Sequence, residues 1–228
     1  MIQLEVWGPY ALFSRPEFKT ERVSFEAPTP SAARGIFESI FWHPGLKWCI
    51  ERIHVLRPMD YDEARDHDLP LINLVGIRRN EVTEKISAHN VRQAAQGSSN
   101  DPLFLATSKN IVQRASLVLK DVHYVIEAHF DMTPNASPAD NPGKFQDIIK
   151  RRIARGQFYS MPYFGCREFP AHFRHWTGGE IPAVDETRDL GMMLYDFDYS
   201  DPQNITPTYF HAKLEHGVLD LRDCEVIR

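Results

Sequence analysis

Cysteine is scarce in this chain. The 228 residues include three, Cys49, Cys166 and Cys224, far apart and without a C-x-x-C pair. Such a set supports neither a disulfide framework nor a zinc site and reads as buried free thiols. Long apolar runs are absent too: none approaches the ~20 residues that cross a bilayer. The opening MIQLEVWGPY lacks the basic region and small-residue cleavage site of a signal peptide. The expectation is a cytoplasmic protein with no membrane partner. Familiar catalytic signatures are also missing: there is no G-x-G-x-x-G, H-E-x-x-H or G-x-S-x-G. NPGKF is not a phosphate loop, because Pro138 stands five residues before Gly143 and no Ser or Thr follows Lys144. His172 and His175 share a face only on a helix, which Pro170 disfavours, and His123 and His129 are six residues apart on a strand, roughly 20 Å. No metal site and no cofactor are expected.

What remains is an ordinary globular composition, 43% hydrophobic and 25% charged, enough for one good core or two small ones. A net charge of -5 argues against wholesale coating by nucleic acid and confines any polyanion site to a local patch. One such patch is conspicuous: NPGKFQDIIKRRIARGQ packs Lys144, Lys150, Arg151, Arg152 and Arg155 into twelve residues.

Hydrophobic spacing gives the coarse organisation. Ile2, Leu4 and Val6 alternate as a strand. Thr29 and Pro30 open a helix that carries Ala33, Ile36, Phe37, Ile40 and Phe41 on one face. Residues 47–57 read as a second strand, 82–115 as a loose polar insertion expected to be mobile, and 116–132 as a long strand. The basic stretch is a second helix, and a final strand is expected near 159–164. Strand, helix, strand, strand, helix, strand is the order of a ferredoxin-like, RNA-recognition-motif-like sheet. The expected class is therefore α+β, with this N-terminal domain at 1–166 and a small C-terminal antiparallel β-sheet domain at 167–228.

On a helix, Phe145, Ile148, Ile149 and Ile153 form an apolar stripe, while Lys144, Arg151 and Arg155 fall within roughly 40° of one another beside it. Two readings stay open. The cations are a solvated face matched to the helix dipole, or they grip a phosphate backbone. Phe158, Tyr159, Tyr163 and Phe164 just downstream are either core or stacking rings for single-stranded RNA. Arg15, Lys19, Arg22, Arg34, Arg78 and Arg79 are cations able to extend a groove.

Four blocks, VWGPYALFSRPEFKTERVSFEAPTPSAARGIFESIFWHP, VLKDVHYVIEAHF, NPGKFQDIIKRRIARGQ and YFGCREFPAHF, closely resemble CRISPR-associated protein five of the type I-C (Dvulg) subtype. That family lies in the repeat-associated mysterious protein superfamily. The resemblance implies an endoribonuclease that cuts precursor CRISPR RNA within each repeat without metal. The 2′-hydroxyl attacks the scissile phosphate, leaving a cyclic phosphate and a 5′-hydroxyl. It implies further that the protein stays on the 5′ handle of the mature guide RNA, beside the backbone and large subunits of the surveillance complex.

Carried over by motif, the family's active-site lysine falls on Lys144, but its tyrosine and histidine positions hold Phe41 and Phe145, which exchange no proton. Three readings follow. Lys144 stabilises the cut with His43 or His123 as the base; or the chain is a non-catalytic handle-binding subunit; or it binds or nicks double-stranded DNA with a divalent ion. In the first two, Arg22, Arg34, Lys150, Arg151, Arg152 and Arg155 are the RNA-binding candidates. Phe41 and Phe145 also fit simple packing between helix and sheet.

Overall fold

The alternation at the N-terminus builds β1 (Ile2–Ala11), which buries Leu4 and Val6 on one face and turns Gln3 and Trp7 to the other. There follow β2 (Arg22–Val23), α1 (Pro30–Ile40), β3 (Leu46–Val55), α2 (Glu63–Asp66), β4 (Leu74–Val82), α3 (Ala88–Ala95) and α4 (Thr107–Asn110). The 22-residue β5 (Ile111–Met132), α5 (Pro142–Ala154), β6 (His172–His175), β7 (Arg188–Asp198), β8 (Thr206–Glu215) and β9 (Val218–Asp220) complete the chain. This is a computed structural model that describes residues 1–18, 20–60, 62–66, 68, 70, 72–82, 86–98, 103–201 and 203–228. Lys19 and residues 83–85 and 99–102 of the polar insertion lie outside the described residues.

The strands form one antiparallel-dominated sheet in the order β6-β1-β5-β3-β9-β8-β7, with β2 and β4 paired to β5. Leu4 opposes Ile126, and Ile126 in turn opposes Ile53, so the central three strands present one apolar face. Asp121, at a φ of 53°, bends β5 in two. An aspartate tolerates that left-handed conformation better than most side chains. Before the bend, residues 111–119 pair with β4; beyond it, residues 124–132 pair with β3. Both ends of the polar insertion are therefore strand.

Two expectations change. The fourth strand is not at 159–164, where Pro162 and the left-handed Gly165 interrupt the backbone, but at His172–His175, paired with β1. A Cβ at Gly165 would collide with the Leu12 carbonyl, so the turn before β6 depends on glycine. The C-terminal strands also do not stand apart: Arg52, Ile53 and His54 pair with Asp220, Leu219 and Val218, and the sheet runs on without a break at residue 167.

α1 and α5 cover the apolar face. Thr29 caps α1, its Oγ1 accepting from the Ala32 amide at 3.2 Å, and Pro30 supplies the preset first turn. The helix ends at Phe41, two residues before Pro44 would forbid continuation at His43. Asn141 caps α5 by accepting from the Lys144 amide at 2.9 Å, and Phe145, Ile149 and Ile153 are buried beneath it. The Phe145 ring lies 5.7 Å from Phe41 and 6.2 Å from Phe130. Removing such a ring costs about 3–5 kcal/mol.

Candidate active site

The start of α5 and the turn after α1 are locked together. Thr133 donates to the Pro44 carbonyl at 2.6 Å, and its amide donates to the Gly45 carbonyl at 3.0 Å. Gly45 sits so close that a Cβ would come within 2.7 Å of the Ala136 Cα. This contact sets His43 beside the loop that leads into α5.

In that loop Asp140 accepts two hydrogen bonds and faces an imidazole. Lys144 Nζ donates to Oδ1 at 2.8 Å, the Ser137 amide donates to Oδ2 at 2.9 Å, and His43 Nε2 faces Oδ2 at 3.8 Å. The Asp140 side chain is 2% exposed, against 45% for Lys144 and 32% for His43. The ammonium of Lys144, helped by the Ser137 amide, holds the carboxyl down to about 2, so it is ionised at any working pH. His43 Nδ1 accepts from the Gly45 amide at 3.0 Å. That bond puts the ring proton of neutral His43 on Nε2, so the ring presents an N–H and no lone pair to Asp140. Phe145, 4.8 Å from the imidazole, walls the cluster on its inner side.

The other candidates divide. Lys150, Arg151 and Arg155 are exposed on α5 and make no ion pair among the described residues. Arg152 is not free: it donates to the Ile40 carbonyl at 2.6 Å and lies over the Phe41 ring, tying the end of α1 to α5. Arg34 binds Glu38 and Asp196, and Arg22 binds Glu81. Arg79 pairs with Glu168. These three are structural bridges as well as cations.

His123 lies elsewhere. It projects from the sheet face opposite the helices, 8% exposed, with Nε2 2.9 Å from Glu5 Oε1 and Nδ1 2.7 Å from the Arg57 carbonyl. Arg174 completes that set on Glu5. Of the aromatic candidates, Phe164 is fully buried, Tyr159 is 83% exposed, and Trp42, beside His43, is 61% exposed. The cysteines are half-buried rather than buried.

Asp140 went unpredicted, although its position four residues before Lys144 is the spacing of a helical ion pair. The cluster thus sets an ammonium and, 3.8 Å from the same carboxylate, an imidazole Nε2 at the positive end of a helix, an arrangement suited chemically to an oxyanion.

Residues 1–222 match the Cas5d family described as CRISPR-associated protein (Cas_Cas5), and the chain belongs to it. It is 41% identical over 226 residues to the CRISPR pre-crRNA endoribonuclease Cas5d of Mannheimia succiniciproducens, covering 96% of this chain and 94% of that one. It is 37% identical over 237 residues to the protein of the same name from Thermus thermophilus, covering 96% and 90%. Among solved structures it superposes on a functionally uncharacterized protein from Streptococcus mutans (TM-score 0.65, 20% identity) and on a CRISPR-associated protein (TM-score 0.66, 19% identity). Each superposition covers 100% of this chain and 96% of the other.

Proposed function

We infer that this chain is an endoribonuclease that cuts precursor CRISPR RNA, the activity for which its Mannheimia and Thermus relatives are named. Its cutting site is the cluster of Lys144, Asp140 and His43. The observation that carries this reading is that Asp140 holds the Lys144 ammonium at 2.8 Å with the His43 Nε2 only 3.8 Å from the same carboxylate, at the exposed start of α5. A scissile phosphate takes over both donors. As the RNA 2′-hydroxyl gives its proton to solvent water and its oxygen bonds to phosphorus, the bond to the 5′-oxygen breaks and that oxygen takes a proton from water. The charge that grows on the non-bridging oxygens is stabilised by Lys144 and His43 Nε2–H. The products are a cyclic phosphate and a 5′-hydroxyl, and no metal takes part. His43 acts as a donor, because using it as the base requires first breaking the Gly45 amide bond to Nδ1. Phe41 and Phe145 exclude water from the inner side of the cluster.

RNA lies along α5 on Lys150, Arg151 and Arg155, with Trp42 and Tyr159 as exposed stacking surfaces. We read β1, α1, β3, β5, α5 and β6 as a ferredoxin-like unit, since its strands stand in the order β6-β1-β5-β3. After the cut the protein stays on the 5′ handle as a cytoplasmic surveillance-complex subunit, beside the backbone and large subunits.

The test is cleavage of labelled cognate repeat RNA in EDTA, with end-group analysis of the products. A 2′,3′-cyclic phosphate that forms with wild type and vanishes with Lys144→Ala supports the assignment. Tight binding with no cleavage by wild type makes the chain a handle-binding subunit instead.

A further inference from the structure

Across the sheet from Lys144, the register of β3 and β5 brings together residues that are remote in sequence. Cys49 opposes His129 and Lys47 opposes Asp131. With period-two alternation, Cys49, Glu51, His129 and Asp131 share the face away from α5, while Trp48 and Phe130 pack toward it, rings 5.8 Å apart. One ligand atom each from Cys49, His129 and Asp131 lies within 4.8 Å of the other two.

We propose that Cys49 Sγ, His129 Nε2 and the Asp131 carboxylate form a site for a borderline-soft divalent ion of the zinc type. Three observations carry it. First, the donor set is thiol, imidazole and carboxylate, which zinc accepts and which magnesium or calcium do not favour. Secondly, the spacing fits. Around a tetrahedral zinc, bonds of about 2.3 Å to sulfur and about 2.0 Å to oxygen put those atoms roughly 3.5 Å apart. The Cys49 thiol stands 3.5 Å from Asp131 Oδ2 and His129 Nε2 stands 3.8 Å from the other oxygen, Oδ1, so a turn of the carboxylate is needed to set a single oxygen at ligand spacing from both. Thirdly, the histidine is already oriented. Its Nδ1 lies 2.7 Å from Glu51 Oε1, and with the proton there Nε2 is left as a lone pair on the Asp131 side. A carboxylate behind a ligating imidazole is the usual second support of such sites.

The three residues are partly exposed, so small side-chain rotations close the set, and the fourth position is open to water. Binding releases the Cys49 thiol proton to solvent as sulfur becomes a thiolate ligand. The ion bridges β3 to β5 directly behind the Trp48 and Phe130 rings. The sequence hid this site because its ligands come from two strands about 80 residues apart and show no C-x-x-C spacing.

The experiment is titration of reduced, chelator-stripped full-length protein with cobalt(II), followed by zinc. One equivalent of cobalt is expected to give a near-ultraviolet thiolate charge-transfer band that zinc abolishes, and to raise the melting temperature. Cys49→Ser removes the band, whereas Cys166→Ser and Cys224→Ser keep it. His129→Gln and Asp131→Asn each weaken binding at least tenfold, and Glu51→Gln weakens it by roughly 10- to 100-fold while leaving the band. All variants are checked for native melting without metal. No band in wild type overturns the proposal, as does a band that survives Cys49→Ser, or affinity indifferent to His129→Gln and Asp131→Asn. The readout is binding, so it stands apart from the assignment of RNA cleavage.

Discussion

Two sets of a histidine, a carboxylate and a cation stand on opposite faces of the sheet and invite comparison. His43, Asp140 and Lys144 stand where the turn after α1 meets the loop into α5, and the cation is 45% exposed. His123, Glu5 and Arg174 stand on the opposite face, where Glu5 is 2% exposed and both nitrogens of His123 are already taken by oxygens. Burial alone would raise the Glu5 carboxyl, yet hydrogen bonds from Arg174 and His123 outweigh it and hold the group below its ordinary value. The carboxylates are equally buried, and what differs is the histidine: His43 is 32% exposed with its Nε2 3.8 Å from Asp140, whereas His123 is 8% exposed and held at both nitrogens. Access to the imidazole, and not residue type, distinguishes the two sets, and it is the ground on which the first is proposed as the cutting site.

The contrast can be broken at either end. Lys144→Ala is expected to reduce cleavage ~10²- to 10³-fold with only a small loss of melting temperature from the broken Asp140 pair, measured by single-turnover gel assay and thermal denaturation. Glu5→Ala should do the reverse, costing about 3 kcal/mol in denaturant unfolding, the low end for a buried pair because Arg174 is half exposed. Cleavage per folded molecule should stay at the wild-type level. His43→Ala should lower cleavage ~10²-fold, while His43→Gln, which keeps an N–H donor, should remain within ~10-fold of wild type. A Gln variant as slow as the Ala variant, with a wild-type rate that titrates near the histidine range, would make His43 the base.

Smaller effects sharpen the map. Arg151→Ala or Arg155→Ala should each reduce the salt slope of RNA binding by about 1, whereas Arg152→Ala should mainly lower stability through the lost bond to the Ile40 carbonyl. The smallest is a titration. Asp140 should protonate near about 2 in wild type and closer to its ordinary value in Lys144→Ala, followed by NMR of the carboxyl carbon. Because the folded value is depressed, the pair's contribution is complete above the ordinary carboxyl range and is lost as pH falls through about 2.

Much of α5 could be read in advance. Asn141, Pro142 and the stripe of Phe145, Ile149 and Ile153 announce its start and its buried face, and Lys144 falls at its first turn. Alternation also put His123 and His129 on one face, which the sheet keeps. Periodicity says nothing about which face the helices cover, and that decided His123. Asp140 was hidden because a loop carboxylate acquires meaning only when the Gly45 contact brings His43 against it. The fourth strand was misplaced because Tyr159, Tyr163 and Phe164 resemble a strand, while Pro162 and Gly165 deny them its backbone. Three-residue β9 was too short to reveal that it joins the C-terminal strands to β3.

The most direct test of the central claim is a single-turnover cleavage assay on labelled repeat RNA in EDTA, run side by side on wild type, Lys144→Ala and Glu5→Ala at equal folded concentration. The account predicts cyclic-phosphate product from wild type and Glu5→Ala at comparable rates, and a loss of at least ~10²-fold with Lys144→Ala despite intact RNA binding. A Lys144→Ala protein that cuts like wild type, or a folded Glu5→Ala protein that does not cut, would contradict it.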